Sequence, residues 1–158
     1  MSPGPEPRVR PAGAADAERI ARHRVQLFRS LQPPERHAEL EALYAPSLEA
    51  LSATFAAGTS LAWVADEPEP SGSLVMHLVT RLPSPTSPNG REGYVVHAWV
   101  EPGRRGSGLG AALLAAAEAA ARDLGLSRIR LHSAERALPF YRRAGFVPRT
   151  NDLERVLR

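Results

Sequence analysis

Residues 100–114, VEPGRRGSGLGAALL, hold the end of a strand, a glycine-rich loop and the start of a helix. The preceding residues 94–100 are apolar on both faces and predict a central strand. Alanine and leucine dominate residues 109–124, which predicts a helix that ends at Gly125. This order of strand, loop and helix favours an α/β fold in which a ligand binds at the loop.

The glycine-rich loop itself predicts a site for a phosphate group. Gly106, Gly108 and Gly110 leave the backbone uncovered, and the free N–H groups at a helix start carry partial positive charge. Arg104 and Arg105 add charge at the same place. We interpret the loop as a pyrophosphate cradle. A strand-to-helix turn that is merely flexible and rich in glycine is the alternative.

Two other phosphate motifs do not fit the chain. All 20 basic residues are arginine, so the lysine of a Walker A loop is missing, as is any Schiff-base lysine. Residues 106–111 do satisfy the dinucleotide pattern GxGxxA, with Glu135 at about the right distance for a ribose. That pattern normally follows the first strand of a doubly wound sheet, and too little chain follows Ala111 to complete one.

Length and composition describe an ordinary globular domain. The 158 residues predict one domain over 8–158, behind a disordered proline-rich tail at 1–7. The absence of cysteine excludes disulfides, iron–sulfur clusters, thiolate zinc sites and a cysteine nucleophile. No apolar run is long enough to span a membrane and the amino terminus lacks an apolar core, so we expect a cytoplasmic protein.

The patterns along the rest of the chain predict alternating strands and helices around a mixed sheet, with helices on both faces. We expect strands at 9–12, 60–66, 73–82, 94–100, 128–132, 146–148 and 153–157. We expect helices at 17–31, 35–57 (one helix broken near Pro46, or two short ones), 109–124 and 134–143.

Two motifs resemble those of the GNAT superfamily of N-acetyltransferases. Residues 105–110, RGSGLG, are similar to its acetyl-CoA loop, which reads arginine or glutamine, two residues, glycine, any residue, then glycine or alanine. Residues 137–146, ALPFYRRAGF, resemble its A-x-P-L-Y-x-x-x-G-F segment, with Phe140 in place of leucine. The resemblance covers 8–158. It implies a GNAT fold, in which a mixed, mostly antiparallel central sheet of six to seven strands is flanked by about four helices.

The resemblance also implies that acetyl-CoA is the co-substrate and that no metal takes part. The backbone amides of the loop would hold the pyrophosphate, Arg105 would shape the loop, and the pantetheine arm would pair with the backbone that ends the central strand. The implied cofactor-binding residues are Ala98, Trp99, Val100, Arg105, Gly106, Ser107, Gly108, Leu109, Gly110, Ala111 and Ser133. Ala134 stands where many members have an asparagine that binds the pantetheine or phosphate region, and Ser133 beside it can supply a hydroxyl.

The same comparison implies that Tyr141 is the general acid. A tyrosine hydroxyl, with a pKa near ~10, can donate a proton to a departing thiolate whose parent pKa is near ~8.5. Packing beside Phe140 and Phe146 is the alternative role. The base is open: residues 94–100 contain no acid, so His97 is our candidate for base or substrate contact, or else a core histidine. Glu92 is a weaker candidate.

The acceptor is expected to be a small-molecule or peptide amine, and its site to lie between residues 27–55 and the loop 83–91. Glu35, Glu39, Glu41 and Glu49 could attract a cationic amine or could simply face solvent. Two other functions are open: a CoA-binding sensor without turnover, and a weakly supported nucleic-acid domain that the scattered arginines disfavour. We expect no nucleic-acid or membrane partner, and a homodimer is possible. His77, His97 and His132 lack the spacing of a zinc motif.

Overall fold

The structure, a computed structural model, describes residues 7–65, 69–149 and 151–157. The predicted tail at 1–7 falls outside these ranges except for Pro7. Five strands form one sheet: β1 (Val9–Ala12), β2 (Ser60–Ala65), β3 (Gly72–Thr80), β4 (Arg91–Val100) and β5 (Arg128–Leu131). The helices are α1 (Ala17–Leu31), α2 (His37–Leu40), α3 (Tyr44–Ala57), α4 (Leu109–Asp123) and α5 (Leu138–Arg143).

The sheet is mixed, and its strands lie in chain order from β1 to β5. The first three pairings are antiparallel, and β5 runs parallel to β4. The parallel pairing follows from the connection, because a helix that crosses from β4 to β5 returns the chain to the same end of the sheet. The predicted α/β architecture with helices on both faces is therefore confirmed.

The prediction of six to seven strands is wrong for the described residues, because 146–148 and 153–157 form no strand. Their apolar side chains face solvent: Val147 is 81% exposed and Leu153 is 99% exposed. Strand pairing in such a segment would order the backbone without burying those side chains, and ordering costs about 1–2 kcal/mol per residue. The pattern of apolar residues alone does not show whether a face is available to bury them.

The region 35–57 forms two helices, which was one of the two expectations, and not one helix broken near Pro46. A turn at Pro34–Arg36, the single helical turn α2 and a turn at Glu41–Leu43 precede α3. Pro46 then lies in the first turn of α3, where the missing N–H has no intrahelical partner to lose. The proline therefore fits the start of a helix, and the break lies before it.

Two apolar layers cover the two faces of the sheet. On one face α4 buries Leu113, Leu114 and Ala117 against Leu74 and Met76 of β3. On the other face α1 and α3 cover Val64 and Val75, with Ile20 at the centre. β3 and β4 lie in the middle of this sandwich, which is why β4 can hold side chains buried on both of its faces. No helix in the described ranges is long and apolar enough to cross a membrane.

Candidate active site

The sheet opens into a cleft along the second half of β4. β4 pairs with β5 only from Glu92 to Val95, although β4 itself continues to Val100. The register with β3 shifts here, because Val75 faces His97 and Met76 faces Val95, so that Val96 forms a bulge. Bulges often re-aim side chains next to active sites. The described part of the chain places no strand beside residues 96–100 on the β5 side, and this gap can admit an extended ligand.

The glycine-rich loop closes one end of this cleft. Gly106 and Gly108 have φ angles of +77° and +86°, which are left-handed values that other residues rarely adopt. A Cβ on Gly106 would meet nothing within 4 Å, so this part of the loop surface is open. The first helical bond of α4 runs from the Ala112 N–H to the Gly108 carbonyl, 3.0 Å away. Among the described residues no backbone hydrogen bond takes up the N–H groups of 106–111, which is the usual state of the first turn of a helix.

Arg105 ties the loop to the end of β4. Its Nε donates a hydrogen bond to the Val100 carbonyl at 3.1 Å, and its guanidinium lies 4.8 Å from the centre of the Trp99 ring. Ser107 also donates a hydrogen bond to the Arg104 carbonyl. Both contacts hold the loop backbone rather than reach into its open side. They agree with a shaping role for Arg105.

Tyr141 lies on α5, which packs directly against the loop. A Cβ on Gly110 would lie 3.4 Å from the Phe140 ring, so α5 and the start of α4 pack closely at this position. The Tyr141 ring contacts Phe140 and Phe146 edge to face, at centroid distances of 5.0 and 5.7 Å. Burial raises the pKa of the Tyr141 hydroxyl above its usual value. The two sequence motifs therefore meet in space.

Tyr141 and Ser133 line one cavity of about 730 Å³ between β5, α4 and α5. Ser133 is half-buried, and its Oγ donates to the neighbouring Ala134 carbonyl at 2.8 Å. His97 lies on the opposite face of the sheet, toward α1. The structure therefore groups Tyr141 with Ser133 and the loop, but keeps His97 apart from them.

His97 belongs to a buried chain of hydrogen bonds that the sequence did not reveal. Its Nε2 lies 2.9 Å from the Ser73 Oγ, and that oxygen lies 2.8 Å from the Nδ1 of His23 on α1. The Nε2 of His23 faces a carboxylate oxygen of Glu101 at 3.7 Å. His23, Ser73 and His97 are each at most 4% exposed. A histidine on the apolar face of α1, three residues after Ile20, was the available signal.

The donor and acceptor roles in this chain depend on the tautomers of the two rings. The Nε2 of His23 has no hydrogen-bond partner within the described residues, since the Glu101 carboxylate is 3.7 Å away. The Nδ1 of His97 likewise has no hydrogen-bond partner there. The buried chain therefore ends in an unpartnered ring nitrogen on each side.

Burial and the nearby Arg24 charge lower the pKa of His97 to about 3, and burial together with Arg19 lowers that of His23 to about 4. Both rings stay neutral in the folded protein while an unfolded histidine would bind a proton below about 6.5. We therefore expect stability to be full above pH 6.5 and to fall as the pH drops toward 4.

Thermal midpoints measured from pH 7 to pH 4 test this expectation. The slope should be smaller in His97→Gln than in the wild type, and unchanged in His132→Gln, which removes an exposed histidine. Equal slopes in all three proteins would contradict the assignment of buried neutral rings.

Glu92, the weaker base candidate, is engaged elsewhere. Its buried carboxylate accepts from Arg128 at 2.7 Å and from Arg81 at 3.1 Å. Burial acts to raise the pKa of Glu92, but the two guanidinium groups lower it below the usual value overall. The loop 83–91 leads into the first residue of β4, at the end of that strand away from the cleft. The side-chain amide of Asn89 donates a hydrogen bond to the Gly125 carbonyl at 2.7 Å and holds the loop there.

The three histidines considered for zinc do not assemble. His77 bonds to Ser60 and His97 to Ser73, while His132 is exposed. The described residues hold no group of three or more histidine, aspartate or glutamate side chains that could bind a metal ion.

Comparisons with known proteins identify the family of this chain. The family model for the acetyltransferase (GNAT) family matches residues 21–146, so the chain belongs to the GNAT acetyltransferase family and is an N-acetyltransferase by type. The resemblance noted in the sequence is thereby confirmed. No curated protein matches this chain.

Solved structures show the same fold over nearly the whole chain. A GCN5-related N-acetyltransferase from Ralstonia eutropha JMP134 is 29% identical, with 95% of this chain and 97% of that chain covered and a TM-score of 0.85. A predicted acetyltransferase from Clostridium acetobutylicum, solved with acetyl-CoA, is 22% identical over 94% and 95% of the chains (TM-score 0.79). A ribosomal-protein-alanine N-acetyltransferase from Brucella melitensis biovar Abortus 2308 is 17% identical over 96% and 99% (TM-score 0.66).

Proposed function

We propose that this protein transfers an acetyl group from acetyl-CoA directly to a primary amine. The observation that carries the proposal is the contact between the two motifs, since the helix of Tyr141 packs through Phe140 onto Gly110 of the open glycine loop. The N–H groups at the start of α4 and the hydroxyl of Tyr141 on α5 are therefore carried by two helices that contact each other. The chain has no cysteine to carry the acetyl group as a thioester, which favours direct transfer.

The residues around the cleft fit acetyl-CoA. The amides of Gly106, Ser107, Gly108, Leu109, Gly110 and Ala111 would hold the pyrophosphate, and Arg105 would keep them in place. The backbone of Ala98, Trp99 and Val100 pairs with β3 but has no strand on the β5 side, where it would pair with the pantetheine arm. Ser133, just after β5, would contact the same arm. Acetyl-CoA supplies an acetyl group already activated as a thioester.

Tyr141 would act as the general acid. When the amine nitrogen bonds to the acetyl carbon and the carbon–sulfur bond breaks, the sulfur leaves as a thiolate that needs a proton. The raised pKa of Tyr141 keeps its hydroxyl protonated at neutral pH, and its Oη can donate that proton.

His97 is disfavoured as the catalytic base, because its ring is 4% exposed and lies on the face of the sheet opposite Tyr141. Its hydrogen bond to Ser73 fits the alternative role of a core histidine. Because the pKa of His97 is about 3, the ring is a weak base by itself. Transfer is therefore expected to begin from the free amine rather than from an ammonium ion that His97 must first deprotonate.

Titration with acetyl-CoA, followed by an amine panel read by release of free CoA, tests the proposal. We expect micromolar binding and CoA release with one class of amine. Binding without release on any amine would favour the CoA-binding sensor. Absence of binding would refute the cofactor assignment and the function with it. A cytoplasmic location and a homodimer stay predictions of the sequence.

A further inference from the structure

Arg24 places a guanidinium group at the mouth of the cleft. Its Nη1 donates a hydrogen bond to the carbonyl of Val96. Val96 is both the bulged residue of β4 and the first residue beyond the pairing with β5. The guanidinium also lies 4.9 Å from the centre of the Phe28 ring, one turn further along α1. Arg24 is half-buried, so this charge lies where the sheet opens and not in free solvent.

The charge of Arg24 is not balanced by a carboxylate. Arg22 and Arg29 of the same helix both pair with Glu41, and Arg19 pairs with Glu69 at 3.6 Å. No ion pair joins Arg24 to an acid in the parts of the chain that the structure describes. Burial lowers the pKa of Arg24, but an arginine stays charged at any physiological pH. A half-buried charge is unfavourable until an anion pairs with it.

The ionisable groups near Arg24 do not supply it with a carboxylate. Burial lowers the pKa values of His23, His77 and His97, and Arg24 itself lowers those of His77 and His97, so these rings are neutral at pH 7. Of the acids expected to attract a cationic amine, Glu41 pairs with Arg22 and Arg29, and Glu39 pairs with Arg36 at 3.4 Å. Glu101 faces the Nε2 of His23, at 3.7 Å. The guanidinium of Arg24 therefore has no carboxylate partner among the described residues.

We propose that the acceptor carries a carboxylate close to its amine, as an amino acid does, and that Arg24 binds this carboxylate. The inference rests on the proposed acetyl transfer and names its acceptor class. A guanidinium matches a carboxylate with two parallel N–H donors, and one guanidinium balances its single negative charge. A purely cationic amine would meet an unfavourable field at the same place.

Pairs of amino acids and their carboxamides test the proposal in the wild-type enzyme. The amide has the same shape without the negative charge. We expect kcat/KM for the acid to exceed that for its amide by about 10–100-fold, the range for losing a charged hydrogen bond. The amide also holds more of its amine as free base at neutral pH, which works against the expected preference. Equal or better use of the amides would overturn the proposal.

Variants assign the preference to Arg24. Arg24→Gln should remove it to within about twofold, because only the acid loses a charged partner. Arg22→Gln is the matched control, since it removes the same charge from the same helix at a guanidinium that pairs with Glu41. Arg24→Lys keeps the charge and should retain part of the preference for the acid. It therefore tests the role of the charge even if Arg24→Gln folds poorly. A preference that persists in a folded Arg24→Gln would refute the role of Arg24.

Binding of the product separates this inference from the proposed function. N-acetyl-amino acids and their amides can be titrated calorimetrically with and without CoA, so that no turnover is needed. We expect the acid to bind at least tenfold more tightly than the amide in the wild type and in Arg22→Gln, and equally in Arg24→Gln. Acetyl-CoA binding with equal affinity for acid and amide would refute the carboxylate site alone. Failure to bind acetyl-CoA would refute the proposed function itself.

Discussion

Replacing Tyr141 by phenylalanine is expected to lower kcat by about 10²–10⁴-fold, the usual contribution of a positioned general acid. Affinity for acetyl-CoA should stay within about twofold, because the loop amides do not involve this hydroxyl. Phenylalanine keeps the edge-to-face contacts with Phe140 and Phe146, so the core around α5 stays intact. Single-turnover rates and calorimetry measure the two quantities separately.

Tyr94→Phe is the matched control. Tyr94 lines the same cavity and loses the same hydroxyl, but it lies on the paired part of β4. Its kcat should be close to that of the wild type. The pH profile adds a second readout: an acid must be protonated to act, and the raised pKa of Tyr141 moves the loss of rate above the ordinary tyrosine value of 10.0. If Tyr141→Phe keeps wild-type kcat, Tyr141 serves only as packing.

Replacing Gly106 by alanine is expected to weaken acetyl-CoA binding by about 10–100-fold. The new Cβ would stand on the open side of the loop, where the phosphates must approach the amides. It would also strain a φ angle of +77°, at about 1–2 kcal/mol for a residue with a side chain. Titration calorimetry gives the affinity, and thermal unfolding gives the strain.

Gly58→Ala separates these two effects. Gly58 ends α3 with a φ angle of +69°, and a Cβ there would also meet nothing within 4 Å. The backbone strain in Gly58→Ala should therefore be similar to that in Gly106→Ala, but Gly58 lies at the end of α3 and not in the glycine-rich loop. We expect similar losses of thermal stability in both variants and a loss of affinity only in Gly106→Ala. A similar loss of affinity in both would mean that general destabilisation, and not the loop, controls binding.

The parts of the site that are continuous in sequence could be predicted, and the parts assembled across the sheet could not. The loop at 103–110 and the segment around Tyr141 each carry their pattern within about ten residues, and both occupy the expected elements. The contact between them has no signature in the sequence, because it depends on how α5 packs against the start of α4, where the Phe140 ring lies beside Gly110. Local patterns report local geometry well.

The buried chain through Ser73 joins residues 50 and 24 positions apart in sequence. Whether this chain forms depends on which face of the sheet each side chain lies on, and the bulge at Val96 shifts the alternation of faces along β4. Periodicity assumes an unbroken alternation, so it cannot locate such a shift. Arg24 was missed for a related reason, because an arginine on an amphipathic helix is read as surface until its neighbours are known.

The sheet separates two sets of side chains. Tyr141 and the helix that begins at the glycine loop lie on one face, while Arg24 and the buried histidines belong to the other. They are joined by the backbone of β4 and by Arg136, which precedes α5 and donates hydrogen bonds to the Oγ and the carbonyl of Ser30 on α1, at 2.6 and 3.0 Å. If Arg24 binds the acceptor as proposed, substitutions on α1 away from Ser30 are expected to alter which amine is accepted and to leave the loop intact. Exchange of α1 alone then becomes a practical route to new specificity.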